Sequence, residues 1–174
     1  VMSHFGPDFF RANRQRLTTL FSGTAPIVLT AHGLLQRNHD TSFPFRQDSN
    51  FWYLTGIAEP DVVLVIDKER EYLIAPFRED VRETFDGTVD LQALCDVSGI
   101  SEIVSHKEGW RRLGDRLGRV GHVATFAAPQ AYVEPLGLFT NPARGRLIEM
   151  LKERNPNLEL LDLRPHITKM RSIK

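Results

Sequence analysis

Three times between Asp90 and Leu163 the chain runs from an amphipathic helical pattern into a short apolar extended stretch. "DLQALCDVSG" leads to "EIVSH", "EGWRRLGDRLGRV" to "GHVATFAA", and "PARGRLIEMLKER" to "LELLDL". A chain with that alternation buries its extended pieces side by side in one sheet and lays the helices over the faces. The first half supplies further strands. "APIVLTAH", Ala25 to His32, is apolar and rich in β-branched residues, so it reads as a strand buried on both faces. "DVVLVIDKEREYLIAP" reads as a hairpin turning at Lys68-Glu69-Arg70. Ahead of them, "GPDFFRANRQRLTTLFSG" places Phe9, Phe10, Leu17, Leu20 and Phe21 near one helical face and predicts an opening helix. The expected fold class is α/β, a single domain over residues 1–174 with a central mixed β-sheet flanked by helices. With 174 residues, 41% of them hydrophobic, the chain can fill one such core.

Charge excludes several partners. Lys plus Arg and Asp plus Glu both number 22, so the zero net charge gives no overall attraction to nucleic acid or to an anionic membrane, and no local basic patch stands out. No apolar run approaches the ~20 residues that span a bilayer, and no signal peptide is visible. The single Cys95 has no internal disulfide partner and suits a reducing compartment. A cytoplasmic location is therefore expected, with neither nucleic acid nor membrane as partner. Val1 ahead of Met2 reads as an expression remnant.

A search for catalytic groups finds little. The histidines, His4, His32, His39, His106, His122 and His166, form no His-Glu-x-x-His pair, and no Cys pair or carboxylate cluster has ligand spacing. His39-Asp40 reads as loop polarity, His32 and His122 as structural groups beside strands, and His106 and His166 as surface groups. Cys95 shares an apolar stripe with Leu91 and Leu94, where a free thiol acts as a small hydrophobe. Ser42, Ser49 and Ser98 lack a nucleophile-elbow context. "GRVG", Gly118 to Gly121, follows a helix and precedes a strand, the wrong order for a phosphate-cradling loop. Trp110 and Met150 fit helical core stripes. "FREDVRETFDGTV" is so charged that it reads as a solvated helix or loop.

One stretch departs from this plain pattern. "DTSFPFRQDSNFWYLTG", Asp40 to Gly56, threads Asp40, Arg46, Gln47, Asp48 and Asn50 between Phe43, Phe45, Phe51, Trp52 and Tyr53. "NFWYLTG" reads as a short interior strand, with Phe51 and Tyr53 on one face and Trp52 and Leu54 on the other. Trp52 and Tyr53 are then core residues. Arg46, Gln47 and Asn50 would tie the entering loop to backbone carbonyls and carboxylates, and Thr55-Gly56 would supply the turn.

"FPFRQDSNFWYLTGIAEPDVVLVI", Phe43 to Ile66, resembles the signature of the amino-terminal domain of the Xaa-Pro aminopeptidases, the aminopeptidase P group of creatinase/prolidase-like metallopeptidases. The shared pattern is aromatic-Pro-aromatic-Arg-Gln, then Asn-Phe-Trp-Tyr, a Thr-Gly turn, and Glu59-Pro60 before an apolar strand. The opening helix, the first strand and the terminal "MRSIK" agree with it. The resemblance implies a domain of creatinase-like α/β fold that supports oligomer assembly and shapes the substrate entrance. It implies that full-length members remove the first residue from peptides with proline in second position, using two divalent metals, usually manganese, in a carboxy-terminal "pita-bread" domain. That domain is expected beyond Lys174 as a partner of this one. This chain matches no family metal ligand or catalytic residue, and it is expected to be inactive alone and to hold no metal. Two residues match positions at the substrate entrance and subunit contact: Asp40, ahead of the aromatic-Pro motif, and Phe85, where the family has tryptophan. For Asp40, plain loop capping is an equal reading. A stand-alone peptide-binding or assembly module, and the amino-terminal domain of a prolidase- or creatinase-type enzyme, remain alternatives. "RPHITKMRSIK" carries no helix-stop signal and reads either as a solvated basic end or as an element that continues.

Overall fold

The computed structural model describes residues 5–21, 23–33, 47–68, 70–76, 90–127 and 142–172. In chain order its elements are helix α1 (Pro7–Phe21), strand β1 (Ile27–Thr30), helix α2 (Ser49–Thr55), strands β2 (Val63–Asp67) and β3 (Arg70–Ala75), helix α3 (Leu91–Ser98), strand β4 (Ile103–Ser105), helix α4 (His106–Arg119), strand β5 (His122–Thr125), helix α5 (Ala143–Arg154), strand β6 (Glu159–Asp162) and helix α6 (Arg164–Ser172). The six strands form one mixed sheet in the order β4-β3-β2-β1-β5-β6. β2 runs antiparallel to both its neighbours, and the β3–β4, β1–β5 and β5–β6 pairs are parallel.

Strand alternation builds two cores. Ile27, Leu29, Leu64, Ile66 and Leu73 face one side of the sheet, where they meet Leu17 of α1, Phe51 and Leu54 of α2, Leu94 of α3 and Ile167 of α6. Val28, Val63, Val65, Tyr72 and Ile74 face the other, under Trp110, Leu113 and Leu117 of α4 and Leu147 and Leu151 of α5. β1 is apolar throughout because both faces are covered: Ile27, Val28 and Leu29 are all buried. The β2–β3 hairpin pairs Asp67 with Arg70, and Lys68 takes a left-handed φ of 55° in its turn. On α4, Gly109 sits where a Cβ would stand 2.6 Å from the Ile74 side chain, so the helix lies tight on the sheet.

The stretch "NFWYLTG" is a helix, not a strand. Asp48 starts it, its Oδ1 accepting from the N–H groups of Asn50 and Phe51, and Gly56 stops it in the left-handed region at φ 70°. Within it Phe51, Leu54 and Thr55 are buried, a spacing of three and four that belongs to a helix. Trp52 and Tyr53 are consequently half-buried rather than interior. His166 also departs from expectation: it is half-buried, its ring set edge-on to Phe21.

Candidate functional site

The polar residues after Arg46 converge at the carboxyl end of β1. Gln47 is the first junction. Its Oε1 accepts from the backbone N–H of His32 at 2.9 Å, and its Nε2 donates to the carbonyls of Ile57 and Glu59 at 3.1 and 3.0 Å. One amide thereby joins the exit of β1 to the chain leaving α2, and both of its polar atoms are engaged.

Asp48 is the second junction, and it is only 4% exposed. While Oδ1 caps α2, Oδ2 accepts from Arg144 Nε at 3.1 Å and Nη2 at 2.6 Å. His32 Nε2 lies 3.5 Å from the same oxygen. Arg144, in the first turn of α5, also lays its guanidinium over the Phe126 ring at 5.1 Å. A buried carboxylate is tolerated only when so paired and hydrogen-bonded.

The far end of α2 is satisfied by α1. The Gly56 N–H bonds the Trp52 carbonyl, Asn13 Nδ2 donates to Tyr53 O at 2.8 Å, and Arg14 Nη1 donates to Leu54 O at 2.8 Å. These carbonyls are among those a helix end leaves unpaired. Arg14, 1% exposed, is charge-balanced by a two-pronged contact with Glu71 at 2.9 and 3.0 Å. On the outer side, Arg171 of α6 donates to Asn50 Oδ1 at 2.7 Å and lies over the Tyr53 ring. Trp52 stands edge-on to Phe10 and Phe5, and Tyr53 edge-on to Phe9, so these aromatics bind α2 to α1.

A further carboxylate, Asp162 at the carboxyl end of β6, accepts from Arg164 and from the backbone N–H of Ala127. Burial pushes its pKa up, but those bonds outweigh burial and hold it below the usual carboxylate range.

The structure thus brings Gln47, Asn50, Trp52 and Tyr53 together around one short helix. Arg46, Asp40 and Phe85 lie outside the described residues. Asn13, Arg14, Arg144 and Arg171 complete the arrangement and were not singled out from the sequence. One signal for the first two existed: they interrupt the apolar face of α1 between Phe10 and Leu17, all buried. Chemically the arrangement is a clamp. The Asp48 oxygens and the Gln47 amide are occupied, Ser98 is buried and donates to the Leu94 carbonyl, and Cys95 packs against the core. Among the described residues no three His, Cys, Asp or Glu side chains are grouped to hold a metal ion. Nor is any described helix long and apolar enough to cross a membrane.

Comparison with known proteins agrees with this geometry. The family model "Aminopeptidase P, N-terminal domain" matches residues 10–124. The Xaa-Pro aminopeptidase of Haemophilus influenzae is 32% identical over 90 residues, which are 49% of this chain and 21% of that protein. The Escherichia coli Xaa-Pro aminopeptidase is 36% identical over 67 residues, covering 38% of this chain and 15% of that one. The zinc-substituted E. coli aminopeptidase P solved with product superposes with a TM-score of 0.73 at 24% identity, over 99% of this chain and 40% of that one, and so shares the fold. The chain spans well under half the length of these relatives. With the signature helix α2 and most of the sheet inside the matched range, the chain belongs to the aminopeptidase P N-terminal domain family.

Proposed function

We propose that this chain is the non-catalytic amino-terminal part of a metal-dependent Xaa-Pro aminopeptidase, an enzyme that removes the first residue from peptides with proline in second position. The observation that carries this reading is the family match over residues 10–124, joined to a fold that occupies about two-fifths of an aminopeptidase P chain. The catalytic partner is a carboxy-terminal domain of the same protein, where two divalent metals, manganese by preference, would activate water for attack on the peptide carbonyl. The described residues of this chain take a supporting part: they hold α2 and the ends of the sheet in place. Oligomer assembly and shaping of the substrate entrance are the roles proposed for the domain, with Asp40 and Phe85 the residues proposed for that entrance and subunit contact and the cytoplasm its compartment.

The test is hydrolysis of an Xaa-Pro peptide with manganese, comparing this chain with one extended past Lys174. Activity only in the longer protein supports the reading, activity in this chain alone refutes its supporting role, and silence in both refutes the peptidase assignment. For Asp40, the expected outcome of Asp40→Ala in the longer protein is lower turnover with an unchanged melting temperature; unaltered kinetics remove it from the entrance.

A further inference from the structure

A cleft of about 290 Å³ lies between the β2–β3 hairpin and α4, on the face of the sheet opposite α2. The hairpin lines it with Asp67, Arg70 and Tyr72, and α4 with Arg112, Arg116 and Arg119. These three arginines of α4 recur at spacings of four and three, so they form one stripe along the helix. β3 holds Tyr72 beside that stripe: the residue is 4% exposed, and the Arg112 guanidinium lies over its ring at 5.0 Å. The cleft is separate from the Gln47–Asp48 clamp, whose side chains do not line it.

The groups left open on its wall are donors. The Tyr72 hydroxyl has no hydrogen-bond partner among the described residues, and it is not one of the fully enclosed polar atoms, so it opens onto the cleft that its residue lines. Arg112, Asp67, Arg70 and Glu102 are the charges that act on it, and the first three line the cleft. Burial raises its pKa by more than Arg112 lowers it, so the hydroxyl keeps its proton at neutral pH. Arg119 is exposed, and its side chain has no ion pair or hydrogen bond with another described residue. Arg112 uses one N–H, toward Glu102 at 2.7 Å, and Arg116 uses two, toward Asp67 at 2.7 and 3.3 Å. A guanidinium carries five, so both retain donors. The carboxylates are already engaged: Asp67 by Arg116, Asp115 by Arg111, and Glu102 by Arg70 and Arg112. With Glu108, also held by Arg111, four carboxylates meet the five lining arginines, which leaves one positive charge over.

We propose that this cleft binds a phosphate group, free or carried by a small molecule. Its oxygens accept from the Tyr72 hydroxyl and from the guanidinium groups of Arg112, Arg116 and Arg119. Donors on two elements, β3 and the α4 stripe, suit a tetrahedral anion with three or more acceptor oxygens better than a planar carboxylate with two. An amine would find the carboxylates occupied and only donors open to it. The negative carboxyl end of α4 opposes an anion, but by less than one charge-assisted hydrogen bond contributes. The volume lies near the lower limit of small-molecule pockets and leaves room for a phosphate ester of a few carbons.

The chain has three tyrosines, few enough for a direct reading with ¹³C at tyrosine Cζ, the peaks of Tyr53 and Tyr72 being assigned through Tyr53→Phe and Tyr72→Phe. At constant ionic strength, inorganic phosphate and glycerol phosphate should each move the Tyr72 peak saturably and leave that of Tyr53 in place. The tighter of the two shows whether the free ion or the ester is the better ligand. Arg119→Gln, an exposed substitution whose fold is checked by the unmoved Tyr53 peak, should weaken both by about tenfold or more, as loss of a charge-assisted hydrogen bond requires. Tyr72→Phe keeps the ring and removes the hydroxyl, and should weaken phosphate in calorimetry by about the same factor. The proposal is overturned by an unmoved Tyr72 peak, by acetate at the same concentration moving that peak equally, or by phosphate binding unchanged in Arg119→Gln.

Discussion

Asp48 and Glu102 are both carboxylates held by two basic side chains, yet they do different work. Asp48 is almost wholly enclosed and links β1, α2 and α5, its arginine partner lying 96 positions along the chain. Glu102 is about a third exposed and takes Arg70 and Arg112 at the surface, beside the outer face of α4, where Arg111 also pairs with Glu108 and Asp115. The first pair is expensive to assemble and more expensive to leave half-made. The second group is solvated and screened. Counting ion pairs would rank the α4 face first; burial and chain separation rank the Asp48 clamp first.

The largest expected effect follows from removing one side of the buried clamp. Asp48→Ala strands Arg144 and uncaps α2, and should cost about 3–5 kcal/mol in denaturant unfolding. Asp48→Asn, which can still cap, should recover part of that loss; equal damage from both would mean that the cap contributes nothing. Next comes Gly56→Ala, which forces φ 70° on a residue with a Cβ and drives that atom to 2.4 Å from the Phe10 ring. About 2 kcal/mol is expected, and a wild-type midpoint would show that α1 simply moves aside. Gln47→Ala should cost about 1–2 kcal/mol because it leaves the His32 N–H and the Ile57 and Glu59 carbonyls without their partner.

The surface group should respond least. Arg111→Ala is expected to change stability by less than about 0.5 kcal/mol, and the effect should vanish in molar salt. Glu102 has a pKa lowered chiefly by its hydrogen bond from Arg70. The folded state therefore binds this proton less readily than the unfolded chain, so the stabilisation is present at neutral pH and fades as pH falls below about 4.5. Wild type and Glu102→Gln should converge in stability there. A gap that persists at pH 3 would contradict the assignment.

The two regions were also unequally legible in the sequence. Strands buried on both faces announce themselves by unbroken apolar runs, and α1, α3, α4 and α5 by their periodic stripes, so the layers and the hairpin follow from local pattern. α2 was misread because its aromatics favour strands when taken singly. The correcting signals were present: an Asp at the cap position, a Gly just beyond the end, and apolar residues three apart at Phe51 and Leu54. Glu108, Arg111 and Asp115 reveal their pairing by helical spacing alone. Nothing in the sequence joins position 48 to 144 or position 50 to 171, because those contacts exist only once the sheet has placed α5 and α6 beside α2.

That dependence gives α2 a late place in the order of events. Seven residues are well short of the ~12–15 at which an isolated helix begins to persist in water. Its restraints come from Asn13, Arg14, Arg144 and Arg171, across separations of 40 to 121 residues, so the chain must close long loops before the helix gains its partners. Substitutions at Asp48 should consequently leave the refolding rate nearly unchanged and accelerate unfolding, with φ-values near zero. The segment that carries the family signature is thus set in place by the rest of the domain, and its lifetime is that of the assembled sheet.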